Sequence, residues 1–398
     1  MSSRLRICVV GGLDGVHTHR WVRWFVERGH DVHGVSYYQP RRPPPGVTVH
    51  VLAEGGAPPA GLGDSAGTGW RPAARRLAET VSPSLWRLLN ALRYQRRGLG
   101  RAIDSVEPDV IHAHYVVEHG FYAALTGRRP LVVTAWGSDV LLAPRRSPLA
   151  RAIARYTVRR SDLVTSNNEH MARRLVDLGA PAERVALVVL GAESFFLETP
   201  EASVNLRSPE ETPPTVVSLR SLVSRLYNVD VILRAMATVR QRIPDVRLLV
   251  AGEGHLRPGL ERLAGRLGLE GGVSFLGYLG REALRDALAS THVCVSVPRS
   301  DATAVSTLEA MAVGCFPIVS DLPSQEELVR QGENGFRVPV RDAGALAERI
   351  VEAMERPDLR RRALEQNREL VKQRGLLEEN MARMEELYRG LSRQREGA

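Results

Sequence analysis

The chain has 398 residues, 43% of them hydrophobic and 25% charged. That length exceeds one comfortable core and predicts two domains, and the composition excludes a largely disordered chain. The net charge of +9 belongs to the first half, where residues 1–199 hold 26 basic and 17 acidic side chains; the remainder is balanced. Lys372 is the only lysine, so an arginine standing where a lysine is usual carries little weight. No secretory signal is predicted, because the apolar run Ile7–Val10 is short and leads into glycines. No stretch approaches the roughly 20 apolar residues of a spanning helix. Cys8, Cys294 and Cys315 lie far apart and read as buried thiols of a reducing cytoplasm, not as a disulfide framework or a metal site.

In chain order, β-branched runs alternate with amphipathic stretches, the pattern of βαβ units on a parallel sheet. Strands are predicted at Leu5–Val10, Asp31–Ser36, Val47–Leu52, Val110–Ala113, Leu131–Thr134, Leu163–Ser166 and Val185–Val189. Helices are predicted near His19–Arg28, Ser84–Asp104, Pro148–Arg160 and Glu169–Leu178. Residues 39–83 interrupt the rhythm with Pro43–Pro45 and the Gly/Ala/Pro-rich Gly55–Gly69, a length that belongs to a functional loop or to a poorly ordered one. Leu197–Pro214 reads as a linker. A second series follows, with strands at Thr215–Leu219, Arg247–Ala251, Val273–Phe275, Val293–Val297, Phe316–Ser320 and Gly335–Val338. Its helices are predicted near Asn228–Arg240, Pro258–Leu267, Glu282–Ala289, Val305–Val313, Ser324–Gln331 and Ala343–Met354, the last capped by Asp342. A charged helix, Asp358–Arg395, ends the chain. Two facing doubly wound sheets would place a site beyond the carboxyl ends of their strands, in the cleft between them.

The most informative segment runs from Asp301 to Glu309 and on to Pro317. Two carboxylates eight positions apart straddle a strand-to-helix turn, leaving backbone N–H groups near Thr303, Ala304 and Val305 free to face a diphosphate or sugar hydroxyls. Glu309 can accept both hydrogen bonds of a ribose diol. Spacing alone favours a capped helix with surface acids. His112 and His114, at a strand end, are open to reading as site residues or as ordinary hydrogen-bonded histidines.

The segment Asp301-Ala-Thr-Ala-Val-Ser-Thr-Leu-Glu309-Ala-Met-Ala-Val-Gly314-Cys-Phe-Pro317 resembles the E-x7-E acidic pair of retaining glycosyltransferase family 4. The likeness continues through Ile318-Val-Ser-Asp321, Glu327 and Gly332-Glu-Asn-Gly335-Phe. It takes in Arg220-Ser-Leu-Val-Ser-Arg225, similar to R-x4-K, with Ala251-Gly252-Glu-Gly254 and Leu276-Gly277-Tyr-Leu279. In the first half it includes Gly11-Gly12, Trp21, Arg28-Gly29-His30-Asp31-Val32 and Asp109-Val-Ile-His112-Ala-His114. The resemblance spans nearly the whole chain in order. It implies an α/β, GT-B fold of the glycogen-synthase-like superfamily, two facing Rossmann-like domains working without a metal or cofactor.

The implied activity is retaining transfer of a hexosyl or N-acetylhexosaminyl group from a nucleotide-diphosphate sugar to a hydroxyl acceptor, in cell-envelope polysaccharide, glycolipid or glycoconjugate synthesis. Carried over by position, Arg220 and Arg225 would neutralise the departing diphosphate, and Asp301 would bind hydroxyls of the transferred sugar. Glu309 would hold the ribose, Leu279 would lie against the base, and Gly252 belongs to the same donor site. Gly11-Gly12 would let backbone approach the phosphates, and His114 would stand at the reaction centre from the acceptor side. Leaving-group charge is the main barrier, so cations and oriented N–H groups are the expected answer to it. The sequence departs from the family at Asp301 (usually Glu), Ala302 and Ala304 (often Gly), Arg225 (usually Lys), Leu190-Gly191-Ala192-Glu193 (often N-G-V-D) and Trp136-Gly137 (commonly His-Gly). These departures point to altered donor or acceptor choice.

The implied organisation is an acceptor-side domain over 1–196, a linker at 197–214, a donor domain over 215–374 and a helix at 375–398 returning towards the first domain. A sugar-nucleotide epimerase or hydrolase on the same fold, and a non-catalytic basic binding protein, are the competing classes. Nucleic acid is not an expected partner, because aromatic and basic residues do not interleave. The Ser84–Asp104 stretch, with Leu85, Leu88, Leu89 and Leu92 on one face and Arg87, Arg93, Arg97 and Arg101 beside Trp86, fits peripheral contact with an anionic membrane and a lipid-linked acceptor. So does the basic stretch Arg151, Arg155, Arg159 and Arg160. A leucine face packed on the domain's own sheet under solvated arginines is the other reading.

Overall fold

Two all-parallel sheets organise the computed structural model, which describes residues 4–52, 83–199 and 213–396. The chain divides into two compact units, one comprising Met1–Val188 with Met381–Ala398, the other Val189–Asn380. The whole of Gly55–Gly69 and most of the Leu197–Pro214 linker reading lie outside the described residues.

In the first unit the strands are β1 (Arg6–Val10), β2 (Asp31–Ser36), β3 (Thr48–Val51), β4 (Val110–His114), β5 (Leu131–Thr134), β6 (Leu163–Ser166) and β7 (Val185–Leu187). Their order across the sheet is β3-β2-β1-β4-β5-β6-β7. The direction of winding reverses between β1 and β4, where Val10 pairs with Ala113. A doubly wound sheet opens a crevice at that point, beyond the carboxyl ends of the strands. β4 and β5 are buried along their whole length, β4 carrying His112 and His114 among its apolar residues.

The second unit repeats the plan with β8 (Thr215–Leu219), β9 (Arg247–Ala251), β10 (Val273–Gly277), β11 (Val293–Ser296), β12 (Phe316–Ser320) and β13 (Phe336–Val338), ordered β10-β9-β8-β11-β12-β13. Its reversal lies between β8 and β11. One face of the sheet packs against Val229–Arg242 and Ala343–Glu355 through Ile232, Met236, Ile350 and Met354. The other packs against Val305–Val313 through Leu308 and Met311. Val305–Val313 is buried at eight of its nine positions. Asp342 caps Ala343–Glu355 as predicted, accepting from the Ala345 N–H at 2.9 Å.

Three predicted helices differ in the structure. Ser84–Asp104 is two helices, Pro83–Arg96 and Leu99–Val106, because Gly98 adopts φ +84° between them. Ser324–Gln331 forms turns only; its polar side chains bond elsewhere, Ser324 to the Asp301 carbonyl and Gln325 to the Ala302 carbonyl. The terminal helix is interrupted between Pro357–Leu370 and Leu377–Glu396 by a wide turn, Val371–Gly375, whose Gly375 carbonyl accepts from Ala192 N–H. The sequence reading missed the turn Tyr115–His119 and the helix Gly120–Thr126 directly after β4.

The basic stretches separate on inspection. Among the described side chains of Pro83–Arg96, Ala91 and Tyr94 are buried, Leu88 and Leu89 are half-buried and Leu92 is 53% exposed. Arg93 is not part of a solvated arc, since its guanidinium lies 5.2 Å over the Tyr37 ring. The side chains of Leu85, Trp86 and Arg87 lie outside the described residues. Arg97, Arg101, Arg151, Arg155, Arg159 and Arg160 are exposed. No helix among the described residues is long and apolar enough to cross a membrane.

Candidate functional site

In the second unit, the loops leaving β8, β9 and β11 converge. Arg220 is the first residue after β8 and its side chain is only 9% exposed. Its Nε donates to Ser296 Oγ at 2.9 Å, its Nη2 bonds both Ser296 Oγ and Asp301 Oδ2, and its guanidinium stacks 5.3 Å over Tyr227. A cation this buried needs a paired anion and several acceptors to persist. Asp301 is itself fixed, because its Oδ1 accepts from the Ala302 N–H at 3.0 Å and its carbonyl is braced by Ser324. Asp301 thus holds the arginine at the strand end, in addition to any contact with a bound sugar.

Gly252 is packed against the backbone of Arg220. It adopts φ +147°, and a Cβ there would run into the Arg220 carbonyl. Gly254 meets Leu222 in the same way at φ +154°. The two loops are joined by Leu222 N–H to the Glu253 carbonyl and Leu256 N–H to the Leu222 carbonyl. Gly252 N–H donates to the Gly277 carbonyl at the end of β10, two residues before the half-buried Leu279. Arg225 is exposed and opens the tight turn Arg225–Tyr227, capped by Ser224. That turn is tied to the acidic loop, since the Leu226 carbonyl accepts from Arg299 N–H.

The helix Val305–Val313 begins at Ala304 without a side-chain cap. Its first amides lie at the positive end of the helix dipole, in the segment Thr303–Val305 that the sequence reading singles out. Ala302, Ala304 and Val305 are buried and Thr303 is half-buried. Glu309, the fifth residue of the helix, is 6% exposed. Burial pushes the Cys294 thiol up to about 12, with Arg220 pulling it down and Glu309 pushing it up. Arg220 and Glu309 are thus both within electrostatic reach of Cys294 on β11. Among the described residues, no three His, Cys, Asp or Glu side chains are grouped so as to hold a metal.

In the first unit, Gly11 follows β1 and lies against the His114 side chain, the nearest approach to a built Cβ being 3.6 Å. Gly12 accepts from the Gly15 N–H in the turn leading to the helix Val16–Glu27. His114 ends β4, with Nδ1 3.1 Å from Thr18 Oγ1 on that helix. Its Nε2 is buried and without a hydrogen-bond partner. Burial, and the neighbouring His112, His119 and His17, hold its pKa well below the usual imidazole range, so the ring is neutral and able to accept or donate. Trp136 lies 5.3 Å from His114, edge to face, and stacks on His17 at 4.9 Å.

A carboxylate that the sequence reading overlooked organises this end of the sheet. Asp139, 3% exposed, accepts from the Val116 N–H at 2.8 Å, the Gly137 N–H at 2.9 Å and the Trp136 N–H at 3.1 Å. It thereby joins the turns after β4 and β5, although burial pushes its pKa up against those donors. Tyr115, immediately after His114, is held at φ +68°, a strained conformation for a residue with a side chain. Asp139 had a local signal, an acid two residues after a glycine at a strand end. Ser296, Tyr227 and Thr18 had none, since their roles depend on which strands become neighbours.

Comparison with known proteins follows the two units. Residues 15–191 match the glycosyl transferase 4-like domain, and residues 203–370 match glycosyl transferases group 1. Among curated relatives, the α-D-kanosaminyltransferase of Streptomyces kanamyceticus is 26% identical over 298 residues, covering 71% of this chain and 75% of that protein. Among solved structures, sucrose-phosphate synthase of Thermosynechococcus elongatus aligns with TM-score 0.75 and 20% identity, over 98% of this chain and 99% of the other. Anabaena HepE, solved with UDP-glucose, aligns with TM-score 0.73 and 17% identity, over 98% and 100%. With both halves matched in order and the fold shared, the chain belongs to the family 4-like glycosyltransferases of GT-B fold and is a transferase enzyme.

Proposed function

We propose that the protein transfers a sugar, with retention of anomeric configuration, from a nucleoside diphosphate donor held by the second unit to a hydroxyl acceptor met by His114 of the first. The observation that carries this reading is Arg220, fixed at the end of β8 by Ser296 and Asp301 beside an uncapped helix terminus and the buried Glu309. A preset cation and oriented amides stabilise the charge that appears on a departing diphosphate without reorganising during the reaction. Arg225, exposed on the adjoining turn, supplies a second cation, and Leu279 supplies an apolar edge for the base. Thr303, Ala304 and Val305 offer backbone amides, Gly252 leaves room for close approach, and Gly11 and Gly12 do the same in the first unit. HepE binds UDP, glucose and UDP-glucose, which supports a uridine donor as the first to test.

The reaction as proposed needs no metal or cofactor, so turnover persists in a chelator. The test is incubation with a panel of nucleotide sugars and hydroxyl acceptors, reading the product anomer by NMR. An inverted anomer, or loss of turnover in EDTA restored by Mg²⁺, would refute it. Glu309→Ala is expected to weaken the donor by roughly 2–4 kcal/mol while leaving the protein folded, since the carboxylate makes charge-assisted bonds to two hydroxyls. Normal donor affinity in that variant would remove Glu309 from the site.

The same reading puts the enzyme in the cytoplasm, at the inner face of an anionic membrane, acting on a lipid-linked acceptor of envelope polysaccharide or glycolipid synthesis. The exposed Leu92 and the exposed arginines of Pro148–Arg160 support it. Each basic side chain at such a surface contributes about 1 kcal/mol. Cosedimentation with anionic but not neutral vesicles, reduced in an Arg155/Arg159 double alanine variant, is the expected result; equal behaviour on both lipids would refute it.

A further inference from the structure

The terminal helix Leu377–Glu396 brings Tyr388 into the core of the first unit, where it is completely buried. Trp21 Nε1 lies 3.3 Å from Tyr388 Oη, and Tyr388 Oη lies 2.6 Å from His112 Nδ1. His112 Nε2 is 2.7 Å from Thr134 Oγ1, which is 2.6 Å from Thr165 Oγ1. Proton positions in this chain follow from its first member. An indole N–H can only donate, so Tyr388 Oη accepts from Trp21, and His112 Nδ1 is the one acceptor within reach of the hydroxyl's single proton. His112 then carries its own proton on Nε2 and donates it to Thr134. One tautomer and one ring orientation satisfy the whole buried chain; the other tautomer would make Tyr388 Oη accept twice and leave its own buried O–H without an acceptor.

His112 and His114 are two residues apart on β4, so both project from the same face of the sheet. Their rings meet edge to face at 4.7 Å, and Trp21 covers both, at 4.9 and 5.7 Å. The ring that rests against the candidate reaction-centre histidine is thus fixed by a residue from the far end of the chain. We infer that Tyr388 is a positioning residue for the transfer reaction, acting through the tautomer and orientation of His112 to hold His114 in its working place. This rests on the reading that His114 meets the acceptor.

The test combines NMR with kinetics. In protein carrying ¹⁵N-histidine, long-range ¹H–¹⁵N spectra are expected to show His112 protonated on Nε2 alone. Tyr388→Phe is expected to mix the tautomers and to lower kcat roughly ten- to a hundredfold, as loss of an orienting partner does elsewhere, with donor KM unchanged. His114→Ala is expected to lose at least as much. A wild-type His112 protonated on Nδ1 overturns the inference whatever the variants do. So does a Tyr388→Phe enzyme of normal kcat beside an inactive His114→Ala, which leaves the acceptor reading standing. A fully active His114→Ala instead overturns that reading, and this inference with it.

Discussion

Removing the Asp301 carboxylate leaves Arg220 as a cation 9% exposed with Ser296 and Tyr227 as its remaining neighbours. Breaking a fully buried ion pair by deleting one partner costs about 3–5 kcal/mol, whereas an exposed pair is worth about 0–1 kcal/mol. Asp301, at 17% exposure, and the surviving Ser296 bond place Asp301→Ala between those limits, at about 2–3 kcal/mol. For a unit of this size that corresponds to a melting temperature roughly 5–10 °C lower. Ser296→Ala, which removes the oxygen that accepts from both Nε and Nη2 of Arg220, costs about 1.5–3 kcal/mol. The double variant Asp301→Ala/Arg220→Ala should be less destabilised than the sum of the singles, by about 1–3 kcal/mol, because no unpaired charge remains. On the proposed function a nucleoside diphosphate would supply the missing anion, so it should raise the melting temperature of Asp301→Ala more than that of wild type, even as turnover falls. The assay is thermal unfolding of wild type, the three single variants and the double variant, with and without the nucleotide. A shift below about 2 °C in Asp301→Ala, or strictly additive losses, would show that Asp301 does not hold Arg220.

Gly252→Ala should destabilise the second unit by at least about 2 kcal/mol and weaken donor binding, because φ +147° and the Arg220 carbonyl both exclude a Cβ; thermal unfolding and nucleotide titration check it. Arg225→Ala should lower kcat with little change in stability, and Arg225→Lys should recover most of the loss, since an exposed position on a turn needs charge more than fork geometry; equal damage by both would contradict that. Acid should destabilise the first unit. Burial pushes His112 down from 6.5 to about 3 and His119 down to about 4, so the unfolded chain takes up those protons first. Stability present above pH 6.5 is therefore lost as pH falls towards the folded values, by about 2 kcal/mol per histidine at pH 5. His119→Gln should flatten the pH dependence of thermal unfolding by about that amount, and an unchanged slope would assign the acid sensitivity elsewhere.

The sequence by itself determined the local and repetitive features: two series of βα units, the positions of most strands, the Asp342 cap and the acidic-pair segment. These depend on residue order within ten or twenty positions, where hydrophobic period and capping chemistry are written directly. It erred where long-range bonds outweighed local preference. Ser324 and Gln325 gave their side chains to the acidic loop and left turns in place of a helix. Gly98 and Gly375 broke helices that charge patterning alone carried through. Only the tertiary structure decided that Arg220 and Asp301, 81 positions apart, are partners. It alone joined Tyr388 to His112 across 276 positions and made Asp139 the clasp of two turns. The physical reason is the strand order. A doubly wound sheet places β1 beside β4 and β8 beside β11, so side chains from distant segments meet at the strand ends, and no local pattern in the chain encodes which ones will.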